Sequence, residues 1–354
     1  MKNVLLISVV FFVFASCKTN SYELGNSKNK PFTTVETDTL FQDKISIRAV
    51  VFDENKMWYA ADNSRFGFFD LHKNIKIEHQ IIKDNLKLEF RSIAKTSKYV
   101  FMLCVSNPAL LYRISKDNLE TKIVYQENHE KVFYDSMQFW NDEEGIAVGD
   151  PVENALSILI TRDGGNSWTK IPSSQLPEVR EGEAAFAASN SNIVIKDNAV
   201  WVVSGGKKSR VFYSSNKGKS WTVYETPIVQ GQQMTGIFTA DFYDKKVGFI
   251  AGGNYEIPNQ NFDNKAITVD AGKNWSLIAQ NQGFGYASCV QYVPNSLGKG
   301  IVTVGASGLY YSADGGKSWK QLSKDNSLYT IRFLNDNTAI AAGKNKMIRL
   351  HFKK

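Results

Sequence analysis

From Phe32 onward the chain is written in short apolar or alternating segments of roughly five to seven residues, separated by Gly, Pro, Asn and Asp. Period-two alternation with turn residues between segments predicts strands joined as β-meanders. Ser46–Phe52, Met57–Ala61 and Phe66–Leu71 form one such set. Phe90–Ala94, Tyr99–Val105 and Leu110–Ile114 begin a second, and further sets start near Phe133, Glu183 and Met234. A sixth is complete, with strands at Tyr286–Tyr292, Gly300–Val304, Leu309–Ser312 and Ser318–Leu322. The last set has Tyr329–Leu334, Thr338–Ala342 and Met347–Phe352, then lacks a strand, while Phe32–Leu40 is an alternating segment left over at the other end.

An eight-residue phrase ending in tryptophan punctuates the second half four times: TRDGGNSW to Trp168, SSNKGKSW to Trp221, TVDAGKNW to Trp275 and SADGGKSW to Trp319. The tryptophans stand 53, 54 and 44 residues apart, a period that fits one small antiparallel sheet per repeat. Four strands per unit repeated around an axis make an all-β propeller. Counting the sets gives seven blades, with six or eight as alternatives, in a single domain over residues 32–354. Pairing Phe32–Leu40 with the strand-deficient last set closes the ring without an open edge.

Each phrase falls at the turn between the third and fourth strands. There Asp163, Asp270 and Asp314, or Asn216 in the second copy, offer an acceptor to the turn's own N–H groups. Gly165, Gly218, Gly272 and Gly316 supply the left-handed backbone, and Trp168, Trp221, Trp275 and Trp319 seal the seam to a neighbouring sheet. The phrase resembles the Asp-box of bacterial sialidases, sortilin-like receptors and photosystem II assembly-factor propellers. Together with EFRS, FYDSMQFW, GIAVGDPVENALSILITRDGGNSW and EGEAAFAAS, it makes the chain similar to exported bacterial propellers related to photosystem II stability and assembly factors. The resemblance implies a seven-bladed scaffold with a binding or assembly role, and it supplies no catalytic residue.

Fourfold repetition marks the boxes as structural, so unrepeated residues are the better candidates for function. In a propeller the first strand of each blade lines the channel, and its start lies on the face opposite the boxes. Aligning the expected first strands brings Arg48, Arg91, Asp135, Glu183, Thr235, Tyr286 and, less closely, Thr330 to one mouth. Loops add Arg65, Asp150, Lys207, Arg210 and Tyr255. Two readings follow. Guanidinium groups fork onto carboxylates, which suits an acidic or sugar-like ligand held by Arg48, Arg91, Asp135, Glu183, Tyr286, Asp150 and Arg65. Alternatively Arg48 and Arg91 pair with Asp135 and Glu183 and close the channel.

The N-terminus changes the picture of where the chain works. Lys2, an apolar run over residues 4–15 broken by Ser8, and Phe14-Ala15-Ser16-Cys17 resemble a lipoprotein signal; the run is short of the about 20 residues that span a bilayer. Residues 1–16 are expected to be removed and Cys17 lipidated. Residues 17–31, polar and aperiodic, form a tether. The expected location is the bacterial cell envelope, anchored to a membrane. Net charge of +7, or +6 without Lys2, with no basic run, argues against nucleic acid. Cys104 and Cys289 sit in apolar strands and read as core thiols.

Two functions from different classes remain. One is a membrane-anchored binding or assembly module with a monomeric body, recognising an envelope protein or glycan at the mouth. The other is a sialidase-like glycoside hydrolase or lyase acting on an acidic glycan, with Glu183 or Asp135 as acid or base; a sialidase Arg-Ile-Pro phrase is missing, since Arg48 is followed by Ala49 and Val50. No catalytic residue is assigned. There is no dinucleotide-binding unit and no metal-ligand spacing, so no cofactor or metal is expected, although a pyrroloquinoline-type cofactor in the channel is left open.

Overall fold

Alternating segments rich in Val, Ile, Phe and Tyr become strands wherever one face is buried, and among the described residues the one helical element is a 3-10 turn at Ser173–Gln175. The computed structural model describes residues 30–354; the expected signal sequence, Cys17 and the tether up to residue 29 lie outside the described residues. Eight strands need labels. β1 is Thr34–Asp53, β2 Phe90–Lys95, β3 Tyr134–Phe139, β4 Ile193–Lys196, β5 Thr235–Phe242, β6 Ala287–Tyr292, β7 Leu328–Phe333 and β8 Thr338–Lys353. Strands β1 to β7 touch in chain order, and β7 returns to β1, so they line the ring from within.

The structure is an all-β propeller of antiparallel units, but its hydrogen bonds make six sheets rather than the seven separate blades expected. The reason lies in β1. Its first half pairs with β8 from Thr34–Lys353 to Ser46–Lys344, and its second half pairs with Lys56–Ala61. First and last units therefore share one six-stranded sheet, in the order β7, β8, β1, then Lys56–Ala61, Arg65–Asp70 and Ile75–Gln80. Strand β8 doubles back near Asn345, which has φ of 65°, so that Phe352 N–H reaches Asn337 O at 2.8 Å. This is the closure expected from the leftover N-terminal segment.

The fourth unit also differs from expectation. Its inner strand is β4, beginning at Ile193 and not near Glu183. Glu183 and Ala184 form a two-residue strand on Gly205–Gly206, joined to the sheet of β5. The intervening residues cross the axis. Asn190 Nδ2 donates to Ile93 O at 2.8 Å and its Oδ1 accepts Met137 N–H at 2.9 Å. Ser189 Oγ donates to Ser288 O at 2.5 Å, Ser191 Oγ meets Thr239 Oγ1 at 2.7 Å, and Arg332 donates to Ser189 O and Asn190 O. One short segment thus ties inner strands β2, β3, β5, β6 and β7 together and fills the centre.

Apolar side chains fill the seams between adjacent units. Trp58 and Phe66 from the first meet Phe90, Met102 and Tyr112 from the second, and Phe101 from the second meets Met137 and Leu159 from the third. Burying each large side chain contributes about 1.5–3 kcal/mol. Cys104 and Cys289 are both buried and unpaired. Among the described residues no helix is long and apolar enough to cross a membrane.

The four boxes close their turns internally. Asp314 Oδ1 accepts Ser312 Oγ–H at 2.8 Å and Ser318 N–H at 2.9 Å, while Oδ2 accepts Ser318 Oγ–H at 2.6 Å. Asp163 and Asp270 repeat the pattern. Asn216 keeps it with Oδ1 towards Ser214 and Ser220. Gly316 has φ of 93° and no room for a Cβ, which would meet the Phe249 ring of the preceding unit at 2.6 Å. Trp319 stands on the same Phe249.

Candidate functional site

Six inner strands carry a register irregularity at one shared place, near the end that opens at the mouth. The residue left without a cross-strand partner is Arg48 in β1, Arg91 in β2, Asp135 in β3, Phe238 in β5, Ser288 in β6 and Tyr329 in β7. A bulge bends its strand and re-aims one side chain, which is why bulges gather at barrel rims and beside sites. Sequence alignment therefore found the first three residues and missed the last three. It chose Thr235, Tyr286 and Thr330, because no charged residue marks the bulge in those strands as Arg48, Arg91 and Asp135 mark it in the first three.

Arg48 is half-buried. Its Nη1 donates to Ala188 O at 3.2 Å, and its guanidinium lies 4.1 Å from the centre of the Tyr329 ring. Burial, and then the charge of Arg91, lower its pKa, though an arginine stays protonated. Among the described residues no carboxylate lies within ion-pair distance of it. It forms one wall of a pocket of about 280 Å³ lined by Tyr255, Pro258, Tyr286, Ser288, Asn326 and Tyr329 among others. Phe186 and Phe238 stack with centroids 3.9 Å apart, and Tyr286 meets Phe238 edge-on at 4.8 Å and Tyr255 at 5.1 Å. Burial raises the Tyr286 hydroxyl far above its ordinary pKa, so it remains a neutral donor. The loop at the rim exposes Tyr255, Ile257 and Phe262.

The other expected residues are distributed differently. Arg91 is held by Glu89, whose Oε1 accepts from Nε at 2.8 Å and Nη2 at 2.6 Å. Glu183 is bound by Arg210, with contacts of 2.5, 3.0 and 3.1 Å, and it also accepts Ser204 Oγ–H at 2.5 Å and Arg180 N–H at 2.8 Å. The alternative reading, a plug of Arg48 and Arg91 on Asp135 and Glu183, is therefore absent, and the chain's own Ser189–Ser191 segment occupies the centre. Arg65 is spent on Asp43 at 3.2 Å, Asp62 at 3.1 Å and Lys44 O at 2.7 Å, outside the pocket. Lys207 pairs with Glu181 at 3.2 Å.

Asp135 is wholly buried and both its carboxyl oxygens lack a hydrogen-bond partner. Burial and the charge of Asp150 hold its pKa well above the carboxylate range, with Arg91 acting the other way. Asp150 Oδ1 accepts Ala185 N–H at 2.9 Å, and burial pushes its pKa up to about 7. Asp150 lies apart from the aromatic pocket, at a separate cleft between the third and fourth units that Lys131 and Arg180 also line. Among the described residues no three His, Cys, Asp or Glu side chains converge as metal ligands.

Residues 310–321 match the BNR/Asp-box repeat. The chain carries that repeat. No curated protein matches it in sequence. Solved structures share the fold over nearly the whole length. YCF48 bound to D1 peptide is 14% identical, with TM-score 0.65 over 92% of this chain and 98% of that one. YCF48 from Cyanidioschyzon merolae is 12% identical, with TM-score 0.61 over 90% and 98%. U3-55K is 11% identical, with TM-score 0.63 over 91% and 100%. At these identities the likeness is one of fold.

Proposed function

We propose that this BNR-repeat propeller is a lipid-anchored envelope protein that binds a segment of a partner protein at its mouth, as a binding or assembly module. The observation that carries the reading is Arg48, a half-buried guanidinium without a carboxylate, stacked on Tyr329 in an aromatic pocket. Such a group favours a carboxylate-bearing ligand with apolar neighbours. The exposed Tyr255, Ile257 and Phe262 extend apolar surface beyond the pocket, which favours a protein segment over a glycan. A fold relative, YCF48, is seen with a peptide bound.

Export and the anchor at Cys17 belong to the same proposal and rest on residues 1–17. Phe32 packs against Tyr311 and Phe352, beside the Asp-box turn. The hydrolase reading loses its proposed acid or base, because Glu183 is committed to Arg210 and Asp135 is closed off from solvent.

The test is a paired screen of peptide and glycan arrays with the wild-type protein and Arg48→Ala. Binding to acidic peptides that carry apolar residues is expected, with at least a tenfold loss in the variant at unchanged melting temperature. Binding confined to glycans, or peptide binding indifferent to Arg48, would refute the assignment.

A further inference from the structure

Arginine is a long, mobile side chain, so a guanidinium that recognises a carboxylate binds best when it is already held before the ligand arrives. Arg48 is held from two directions. Its Nη1 donates to Ala188 O at 3.2 Å, and one face of the guanidinium lies 4.1 Å from the centre of the Tyr329 ring. Among the described residues its Nε and Nη2 donate to no partner, and neither is among the polar atoms sealed from solvent.

Both supports trace to the segment that crosses the axis. Ser189, next in the chain after Ala188, donates its Oγ–H to Ser288 O at 2.5 Å. Ser288 Oγ in turn donates to Tyr329 O at 2.8 Å, with Val304 O as a second acceptor at 3.2 Å. Ser288 and Tyr329 are the bulged residues of the adjacent strands β6 and β7, each without a cross-strand partner. A bulge takes its residue out of the ladder, and here a neighbour's hydroxyl accepts the task of binding each carbonyl. Ser189 and Ser288 are both buried. The contacts form a closed circuit: Arg48 to Ala188, along the chain to Ser189, on to Ser288 and Tyr329, and back to Arg48 through the ring.

We propose that Ser288, with Ser189 behind it, is a positioning residue of the Arg48 site. The inference rests on the Arg48 pocket being the binding site. Ser288 also lines that pocket, but its proton points to backbone carbonyls, so it acts by fixing Tyr329 under the guanidinium. One consequence concerns the ligand. With Nη1 on Ala188 and one face on Tyr329, the edge left for a carboxylate is the side edge, where Nε and Nη2 make a two-pronged fork. Loss of the Ser288 hydroxyl frees the β7 bulge, lets Tyr329 slide from under Arg48 and returns the guanidinium to a mixture of rotamers.

The experiment compares wild type, Ser288→Ala, Ser288→Thr and Ser189→Ala by NMR of the Arg48 Nε–H and δ-methylene signals, assigned by their absence in Arg48→Ala. Phenylacetate, an apolar carboxylate, is the binding probe. In the wild type the Tyr329 ring current should shift the Arg48 signals upfield. Ser288→Ala should lose most of that shift and bind phenylacetate about tenfold more weakly. Ser288→Thr, which keeps the hydroxyl, should restore both, and Ser189→Ala should move both in the direction of Ser288→Ala. A purely structural serine would lower the melting temperature and leave the Arg48 signals in place. Wild-type Arg48 signals in Ser288→Ala, or a Ser288→Thr variant that behaves as Ser288→Ala, would overturn the proposal. If phenylacetate fails to bind the wild type while Ser288→Ala still loses the upfield shift, the circuit is supported and the carboxylate assignment of the pocket is refuted, so the two failures are told apart.

Discussion

Glu183 and Arg210 stand 27 residues apart in sequence and meet in a buried fork, with Arg210 only 5% and Glu183 only 3% exposed. Removing the arginine alone strands a buried carboxylate, so Arg210→Ala should destabilise the protein by about 3–5 kcal/mol. Replacing both, as in Arg210→Met with Glu183→Leu, should recover most of that loss, since a well-packed apolar pair avoids the desolvation cost. Chemical denaturation of the three variants checks the pattern; a double variant no better than the single would show that the fork does more than neutralise Glu183. This pair also marks what the sequence conceals. Arg48, Arg91 and Asp135 stand out because charges flanked by apolar residues at the start of a strand are conspicuous. The partner that takes Glu183 out of the mouth lies on another strand, and nothing local to EGEAAFA announces it. Phe238, Ser288 and Tyr329 stand at the same bulge but carry no charge, so nothing sets them apart from the apolar and small residues around them.

At the scale of elements, the box turn is a local structure that its own residues specify. Acceptor, glycine and tryptophan lie within eight residues, so the turn and its hydrogen bonds can be read from the phrase alone. Asp314 illustrates the energetics. Burial raises its pKa, but the hydrogen bonds from Ser318 and Ser312 outweigh this and leave it lowered. A carboxylate with a depressed folded-state pKa contributes stability above its unfolded value near 4, and that contribution is lost as pH falls through the folded value. Asp314→Ala should therefore lower stability by about 1–2 kcal/mol at pH 7, with the difference shrinking below about pH 3.5, and should leave ligand binding alone. Melting curves across pH 2–7 test this; a difference independent of pH would assign the loss to packing. The segment from Glu183 to Ser191 is the opposite case. Its apolar run looks like an inner strand, yet most of it crosses the axis, because its polar atoms find partners on five other inner strands. Those partners are far away in sequence, so local patterning does not foretell them.

For the whole molecule, the leftover segment Phe32–Leu40 and the strand-deficient last unit together foretold ring closure, and β1 pairs with β8 accordingly. The number of sheets was not legible, since a 20-residue strand shared by two units merges them. The two faces also differ: the boxes lie on one side, and Arg48, the aromatic pocket and the cleft at Asp150 on the other. That separation is the central claim, and site-specific photo-crosslinking in the native cell tests it most directly. A photoreactive residue in place of Tyr255, at the mouth, should trap one dominant protein partner, and the adduct should disappear when Arg48→Ala is added. The same probe in place of Val269, exposed within the third box, should trap none. Adducts from Val269 equal to or exceeding those from Tyr255 would contradict the account and move the binding face to the Asp-boxes.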